Sequence, residues 1–364
     1  MNKETISDNQ GIALIVLFLV SSSTLYATGL DAKQDIWISI ILATLIGFIT
    51  AFIYIRLHHC FPNKDLFDII EICFGTYMGK GIIFFFIYYT FVNSYDLLRG
   101  FSNLIFTIAL TNTALILIVL ITSFLCIYVV MKGIVVLSKW AIFFFPVIVG
   151  LLILITLLLI PNMDTDNLLP ILSNGIKPVL RGTLTLLSYP IGQLVLFPMV
   201  FSNFESKDSP SKIYTVGFLI SAILIFANNL TNVLVLGVTE ANSVYYATYS
   251  SISRVLVPIL RSIQIIPPAI FVLAYFIKIT VYWTATCNGI SKLLNFTNYK
   301  FIVVIVGLMI TILSYKSYHS LMDFVEWEDE VWTYFSIPFQ LILPLLIWII
   351  AEIKYKASSN KQKI

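Results

Sequence analysis

Long apolar runs separated by short polar connections dominate this chain, and they predict ten helical spans at 10–30, 36–55, 81–108, 113–132, 139–160, 180–203, 213–237, 266–291, 300–316 and 334–353. A bilayer hydrocarbon core about 30 Å thick takes roughly 20 apolar residues per helical crossing. Stretches such as GIIFFFIYY (81–89) and LLILITLLLI (151–160) are apolar on every side, whereas the strands of a membrane barrel alternate apolar and polar positions. The pattern therefore predicts an all-α polytopic membrane protein of about ten transmembrane helices. Composition agrees: 59% of the 364 residues are hydrophobic and 11% charged, with mean hydropathy +0.94, too little polar surface for a water-soluble globule of this length. The polar start MNKETISDNQ lacks a small-residue cleavage site, so the first span is expected to be retained as a helix.

Charge adds an orientation. Short loops rich in Lys and Arg stay cytoplasmic. With the N-terminus inside, one side collects Lys3, Arg56, Lys64, Lys80, Lys132, Lys139, Lys207, Lys212, Lys292, Lys300 and the lysines of the tail, while the other holds only Lys33, Lys177, Arg181, Arg254, Arg261 and Lys316. Ten crossings then place both termini in the cytoplasm, and the net charge of +3 reports topology, with no call for nucleic acid as a partner. The lipid bilayer is the expected surroundings of one integral membrane domain over 1–364, with five-helix halves at 10–160 and 180–353 and a basic cytoplasmic tail at 354–364. Residues 241–264 mix hydroxyls, tyrosines and two arginines and suit an amphipathic segment on the outer surface. The loop MDFVEWEDEVW (322–332) is expected to be a solvated acidic face.

Catalytic constellations are not found. Cys60, Cys73, Cys126 and Cys287 form no CxxC pair, the histidines are His58, His59 and His319, and no HExxH, phosphate loop or dinucleotide fingerprint occurs. Neither an enzyme, a cofactor nor a metal site is expected.

The chemistry lies in the polar content of the spans, because backbone that leaves the helical ladder at membrane depth is tolerated only inside protein or around a cavity. Span 10–30 carries Ser21, Ser22, Ser23 and Thr24 in a row. Such a row either hydrogen-bonds back onto its own helix or marks a deliberate break. Span 180–203 contains LLSYPIGQLVLFP, where Pro190 removes a backbone donor and Gly192 frees the conformations that follow. The two interruptions fall in the first helix of each half, the pattern of a 5+5 inverted repeat with discontinuous helices 1 and 6 and a ligand held between them. Ser21, Ser22, Ser23, Thr24, Tyr189, Pro190, Gly192 and Gln193 are thus the candidate ligand-binding residues. Three intramembrane charges join them. Asp96 and Arg99 stand at i and i+3, spaced to pair with each other or to serve a ligand or gate. Lys278 has no carboxylate within one turn of span 266–291.

Further marks are Gln10-Gly11, QDIWIS (34–39), FPNKDLFDIIEICFGTYMGK (61–80), LLPILSNGIKPVLRG (168–182), IGQ (191–193) and CNGI (287–290). In their order and spacing these stretches resemble the B subunits of GerA-type spore germinant receptors, relatives of the amino acid–polyamine–organocation transporters. The resemblance implies a ten-helix inverted-repeat fold, a place in the spore inner membrane beside A-type and C-type germinant receptor subunits, and sensing of a small nutrient such as an amino acid. An amino acid permease working by alternating access is the alternative. The chain departs from the family pattern where Ser21-Ser22-Ser23 replaces a glycine-rich break, where Gln193 stands near a common Glu, and at Arg261-Ser262-Ile263-Gln264. In cation-coupled relatives of this architecture a sodium ion sits between helices 1 and 8, so the resemblance suggests Lys278 as a built-in cation bonding carbonyls freed near Ser21.

Overall fold

The computed structural model describes residues 5–254, 266–296, 298–318 and 320–361. Among these residues the ordered elements are helical, apart from one isolated bridge between Ile6 and Phe204. Helix α1 (Asp8–Ser23) starts with a capping box in which Ser7 and Gln10 satisfy each other's backbone N–H groups. It has 16 residues, about 24 Å at 1.5 Å per residue, too short to finish a crossing alone. The chain continues through the non-helical residues 24–29 and a 3₁₀ segment, Leu30–Asp35, into α2 (Ile36–Cys60).

Helix α3 (Leu66–Ile108) begins earlier than the apolar run predicts and turns at Gly75, whose φ of 76° suits a residue without Cβ. Helices α4 (Leu115–Lys132) and α5 (Ile134–Leu159) complete the first five crossings. The sixth is interrupted: α6 (Ile176–Ser188) ends at Tyr189-Pro190, followed by a 3₁₀ segment, Ile191–Leu196, and one helical turn, α7 (Phe197–Val200). Helix α8 (Ser209–Ser243) kinks at Gly237, where the apolar span was expected to stop. Helices α9 (Ala247–Ser253), α10 (Ile266–Leu294) and α11 (Tyr299–Lys316) come next. The last crossing is reached through α12 (Leu321–Glu326), a π-helical turn (Trp327–Trp332), α13 (Thr333–Ile337), a second π turn (Pro338–Ile342) and α14 (Leu343–Lys361).

Nine described segments are long and apolar enough to cross a membrane, and α1 is a shorter apolar helix beside them. With α1 this makes the ten crossings that the apolar pattern predicts, two of them discontinuous, as an inverted repeat requires. Contacts at the ends place both termini on one side. Ile6 exchanges backbone hydrogen bonds with Asn203 and Glu205, His59 at the end of α2 meets Ser211 at the start of α8 at 3.0 Å, and Arg56 pairs with Glu352 at 2.8 Å.

Burial separates an inner from an outer set of helices. In α10 and in 176–200, 83% of the apolar window is buried, against 22–44% in the other long spans, and α1 is buried from Ala13 to Ser23. These three broken or central elements are the core. The outer helices expose Leu, Ile and Phe, for instance Phe124 and Phe143, each 72% exposed, because their solvent is lipid and imposes no polar face.

The stretches that carry the family resemblance turn out to interlock. Gln34 donates from Nε2 to the carbonyl of Pro170 (3.0 Å) and to Ser173 Oγ (2.6 Å), while Asp35 accepts from the Leu172 N–H (2.9 Å). Ser39 donates to the carbonyl of Val179 at 2.8 Å. Gly289 of CNGI lies where a Cβ would come within 2.6 Å of Ile87 and 3.1 Å of Phe67, so α10 and α3 pack backbone-close there.

Candidate functional site

The serine row does both things its sequence allows. Ser21, Ser22 and Ser23 are still helical, and the helix stops immediately after them. Ser21 donates to the carbonyl of Phe18 (2.7 Å), Ser23 to that of Val20 (3.0 Å) and Thr24 to that of Ser21 (2.7 Å). These hydroxyls turn back onto the helix they end; the carbonyl of Val20 accepts from the Thr24 N–H as well as from Ser23. Ser22 alone reaches across the core: its hydroxyl accepts from the Lys278 ammonium of α10.

Lys278 is completely buried. Its Nζ lies 4.1 Å from the ring centroid of Tyr189, 5.4 Å from that of Phe18 and 5.9 Å from that of Tyr275. Among the described residues no carboxylate lies within ion-pair distance of it. The ammonium thus joins the first break to the second through one hydroxyl and a wall of aromatic faces. It bonds the Ser22 hydroxyl, where the resemblance suggested freed carbonyls. Helices α1 and α6 both direct their C-terminal ends to this level, and the negative ends of two helix dipoles favour a cation between them.

At the second break Tyr189-Pro190 is a cis peptide. The Tyr189 hydroxyl meets that of Tyr275 at 3.4 Å. Gln340, from the second π turn, donates from Nε2 to the carbonyl of Ser188 (2.9 Å) and to the Tyr89 hydroxyl (2.8 Å), covering the open end of α6. Gly192 has no positive φ. A Cβ there would stand 2.3 Å from Gln340 Oε1 and 2.4 Å from the carbonyl of Leu187. Its value is close approach, which corrects the expectation that it supplies unusual backbone freedom. Gln193, wholly buried, finds no partner for either amide atom among the described residues.

Asp96 and Arg99 do not pair with each other. Asp96 accepts from the Tyr318 hydroxyl and from Trp327 Nε1 (3.2 Å). Arg99 donates to the carbonyls of Ser314 (3.4 Å), Tyr315 (3.2 Å) and Tyr318 (3.2 Å), capping the C-terminal end of α11, where a cation is favoured. The i, i+3 spacing holds, but tertiary partners take both side chains.

Sequence reasoning missed three contributions. Asn228, Asn229 and Asn232 of α8 bind the backbone of residues 23–28 and the neighbouring helix α9, through Asn228 to the carbonyl of Ser23 and Asn229 Oδ1 from the Thr28 N–H (2.8 Å). The run NNLTN inside an apolar span was the available signal, since polar side chains at membrane depth commonly bridge helices. Gln340 was the second. The third lies in the acidic loop, whose Asp323, Glu326 and Glu330 are exposed as expected, while Trp327 reaches Asp96 and Glu328 accepts from the Tyr245 hydroxyl at 3.0 Å. Of the outer segment 241–264, residues 247–253 form α9, while Arg261, Ser262, Ile263 and Gln264 lie outside the described residues.

A cavity of about 1160 Å³ opens on the side opposite the termini and descends to Ser188 and Tyr189, with Thr28, Asp31, Asp96 and Glu328 among its walls. Tyr189 touches both this cavity and the Lys278 ammonium. Among the described residues no group of three or more His, Cys, Asp or Glu side chains could hold a metal ion, and the four cysteines are buried free thiols.

Comparison with known proteins gives two consistent results. The family model described as spore germination protein matches residues 5–320. Spore germination protein KB of Bacillus subtilis (strain 168) is 29% identical over 98% of this chain and 97% of its own. Spore germination protein A2 of the same organism is 24% identical over 96% of each chain. Among solved structures, a nucleobase–cation symporter with bromovinylhydantoin bound superposes with a TM-score of 0.68 at 13% identity, covering 95% of this chain and 77% of the symporter. A Na⁺-coupled sialic acid symporter gives 0.62 at 12% identity, covering 92% and 79%. At these identities the superpositions speak for the fold alone.

Proposed function

The chain belongs to the spore germination protein family, and on that footing we propose that it is the B-type subunit of a germinant receptor, binding a small nutrient between its two broken helices. The observation that carries this reading is Lys278, which ties the break after Ser23 to Tyr189 at the foot of the cavity. Ser22, Tyr189 and Gln193 would face the ligand. The buried amide of Gln193, bare in both its donor and its acceptor, is the kind of group a polar ligand satisfies. An amino acid suits the chemistry: its carboxylate complements the fixed ammonium, and its own ammonium complements carbonyls at the ends of α1 and α6. Ser21, Ser23, Thr24, Pro190 and Gly192 shape the breaks.

A tethered ammonium supplies a positive charge without a mobile metal cation, and in a sensor ligand binding beside it shifts a conformational equilibrium. A- and C-type subunits in the spore inner membrane would read that shift, with both termini in the cytoplasm. The second reading, an amino acid permease, rests on the superposition with two symporters. Germination of a deletion strain against an amino acid panel, run beside radiolabelled uptake in vesicles, separates the two. The receptor reading expects loss of a specific nutrient response and no accumulation; concentrative uptake of the same nutrient would replace it with the permease.

A further inference from the structure

The break after α1 is held from outside by a polar network that no ligand is needed to explain. Thr248, in α9, bonds three ways: its N–H donates to the carbonyl of Leu25 (3.2 Å), and its hydroxyl accepts from Asn228 Nδ2 (3.1 Å) and from Asn232 Nδ2 (3.0 Å). Asn228 also donates to the carbonyl of Ser23, the last helical residue of α1. Ser251, one turn on from Thr248, donates to Asn232 Oδ1 at 2.9 Å. Thr248, Ser251, Asn229 and Asn232 are almost wholly shielded from solvent. Beside the network a small apolar cluster of Leu236, Ala241 and Ala247 packs against Ala27 and Leu30, so α9 touches the broken stretch through apolar atoms as well.

We propose that Thr248, with Asn228 and Asn232, is a positioning residue of the ligand site: α9 is fastened to the non-helical stretch 24–29 so that a change at Ser22 and Lys278 is carried to the outer surface. This rests on the receptor reading for the meaning of the signal, though the coupling itself can be tested without a ligand. The physical reason is the network's completeness. One hydroxyl serves two amides, and those amides bind the carbonyl that ends α1 and the hydroxyl that anchors α9. A shift of Ser23 therefore cannot leave Thr248 where it is without stranding buried donors, each a costly loss in a dry environment. Buried networks of this kind have discrete arrangements, the property needed to pass a signal between two places.

The test uses Ala247→Cys as a reporter. Ala247 is 1% exposed, so the thiol is shielded while α9 is seated, and the four native cysteines are buried and set the background. Labelling by a soluble maleimide is followed in membrane vesicles carrying the full chain. Thr248→Val keeps the shape and removes the shared acceptor, and should speed labelling about ten-fold or more, the loss expected for one or two net hydrogen bonds. Thr248→Ser should label like the parent. Ser251→Ala, which removes only the bond to Asn232, should give a smaller rise and stands in if the valine variant does not accumulate. The deciding arm is Lys278→Met, whose hydrogen bond goes to Ser22 and not to α9: it should also change the labelling rate. Unchanged labelling in Lys278→Met overturns the coupling, whatever Thr248→Val does; unchanged labelling in both Thr248→Val and Ser251→Ala overturns the fastening. Absence of any nutrient response in the wild-type strain would count against the receptor reading and leave these labelling results standing.

Discussion

Replacing Lys278 by methionine keeps a long unbranched side chain of similar volume in the core and removes one full charge from between the two broken helices. The interactions lost can be counted from the structure. A desolvated cation over an aromatic face is worth about 2 kcal/mol, and Tyr189 lies within that range at 4.1 Å. A hydrogen bond from a charged donor, here to Ser22, adds about 1.5–3 kcal/mol. Together they hold the two breaks to one another by roughly 3–5 kcal/mol, a factor of about a hundred to a few thousand in an equilibrium constant. Against this stands the several kcal/mol that burying an ion costs, which methionine does not incur. The two effects act on different observables. Thermal stability in detergent should be unchanged or higher in Lys278→Met, while the balance between conformations shifts. In spores carrying the variant at matched abundance, the nutrient threshold should move by ten-fold or more, or germination should begin without nutrient. Lys278→Arg should restore the response only in part, because a planar fork does not replace a compact point charge. A wild-type threshold in the methionine variant, with normal protein levels, would refute the reasoning and leave Lys278 a packing residue.

Because Ser22 alone meets Lys278 while Ser21 bonds back to its own helix, Ser22→Ala should shift the nutrient threshold and Ser21→Ala should leave it within experimental error; equal dose-response curves for the two would remove Ser22 from the site. Both glycines near the sixth crossing are tightly enclosed, Gly182 with a would-be Cβ 2.7 Å from the carbonyl of Gly29 and Gly192 as described above. Alanine at either should therefore cost on the order of 1–3 kcal/mol by overpacking, seen as lower yield and melting temperature, and a silent Gly182→Ala would contradict the close packing of 29–32 on α6. Asp65, the N-cap of α3, has its carboxyl pushed up to about 6, first by burial and then by the neighbouring Asp68. A folded-state value above the unfolded one means a contribution that is full below about pH 4 and lost as pH rises through about 6. Asp65→Asn, which keeps the cap, should therefore gain on the wild type between pH 5 and 7.5 by no more than about 2–3 kcal/mol; melting curves in detergent that stay parallel across that range would exclude it.

Ten crossings could be read from the sequence because lipid demands long apolar runs and internal backbone pairing, and both requirements are local. The two breaks were legible for the same reason: a hydroxyl row and a Tyr-Pro-Ile-Gly stretch interrupt such runs where little else explains them. What became of each polar residue was not local. Nothing in the serine row says that Ser21, Ser23 and Thr24 turn back while Ser22 reaches α10, since that depends on which face of α1 meets Lys278, 256 residues away. The spacing of Asp96 and Arg99 permits an ion pair, and only the approach of Tyr318, Trp327 and the end of α11 takes each partner elsewhere. Asp323, Glu326 and Glu330 of the acidic loop are exposed as their charge implies, but composition cannot record that Glu328 turns to Tyr245. Asn228, Asn229, Asn232 and Gln340 were visible as polar residues in apolar spans, but Asn228, Asn229 and Gln340 satisfy backbone exposed by breaks in other helices and Asn232 holds the hydroxyls of α9, needs that arise only once those helices lie side by side.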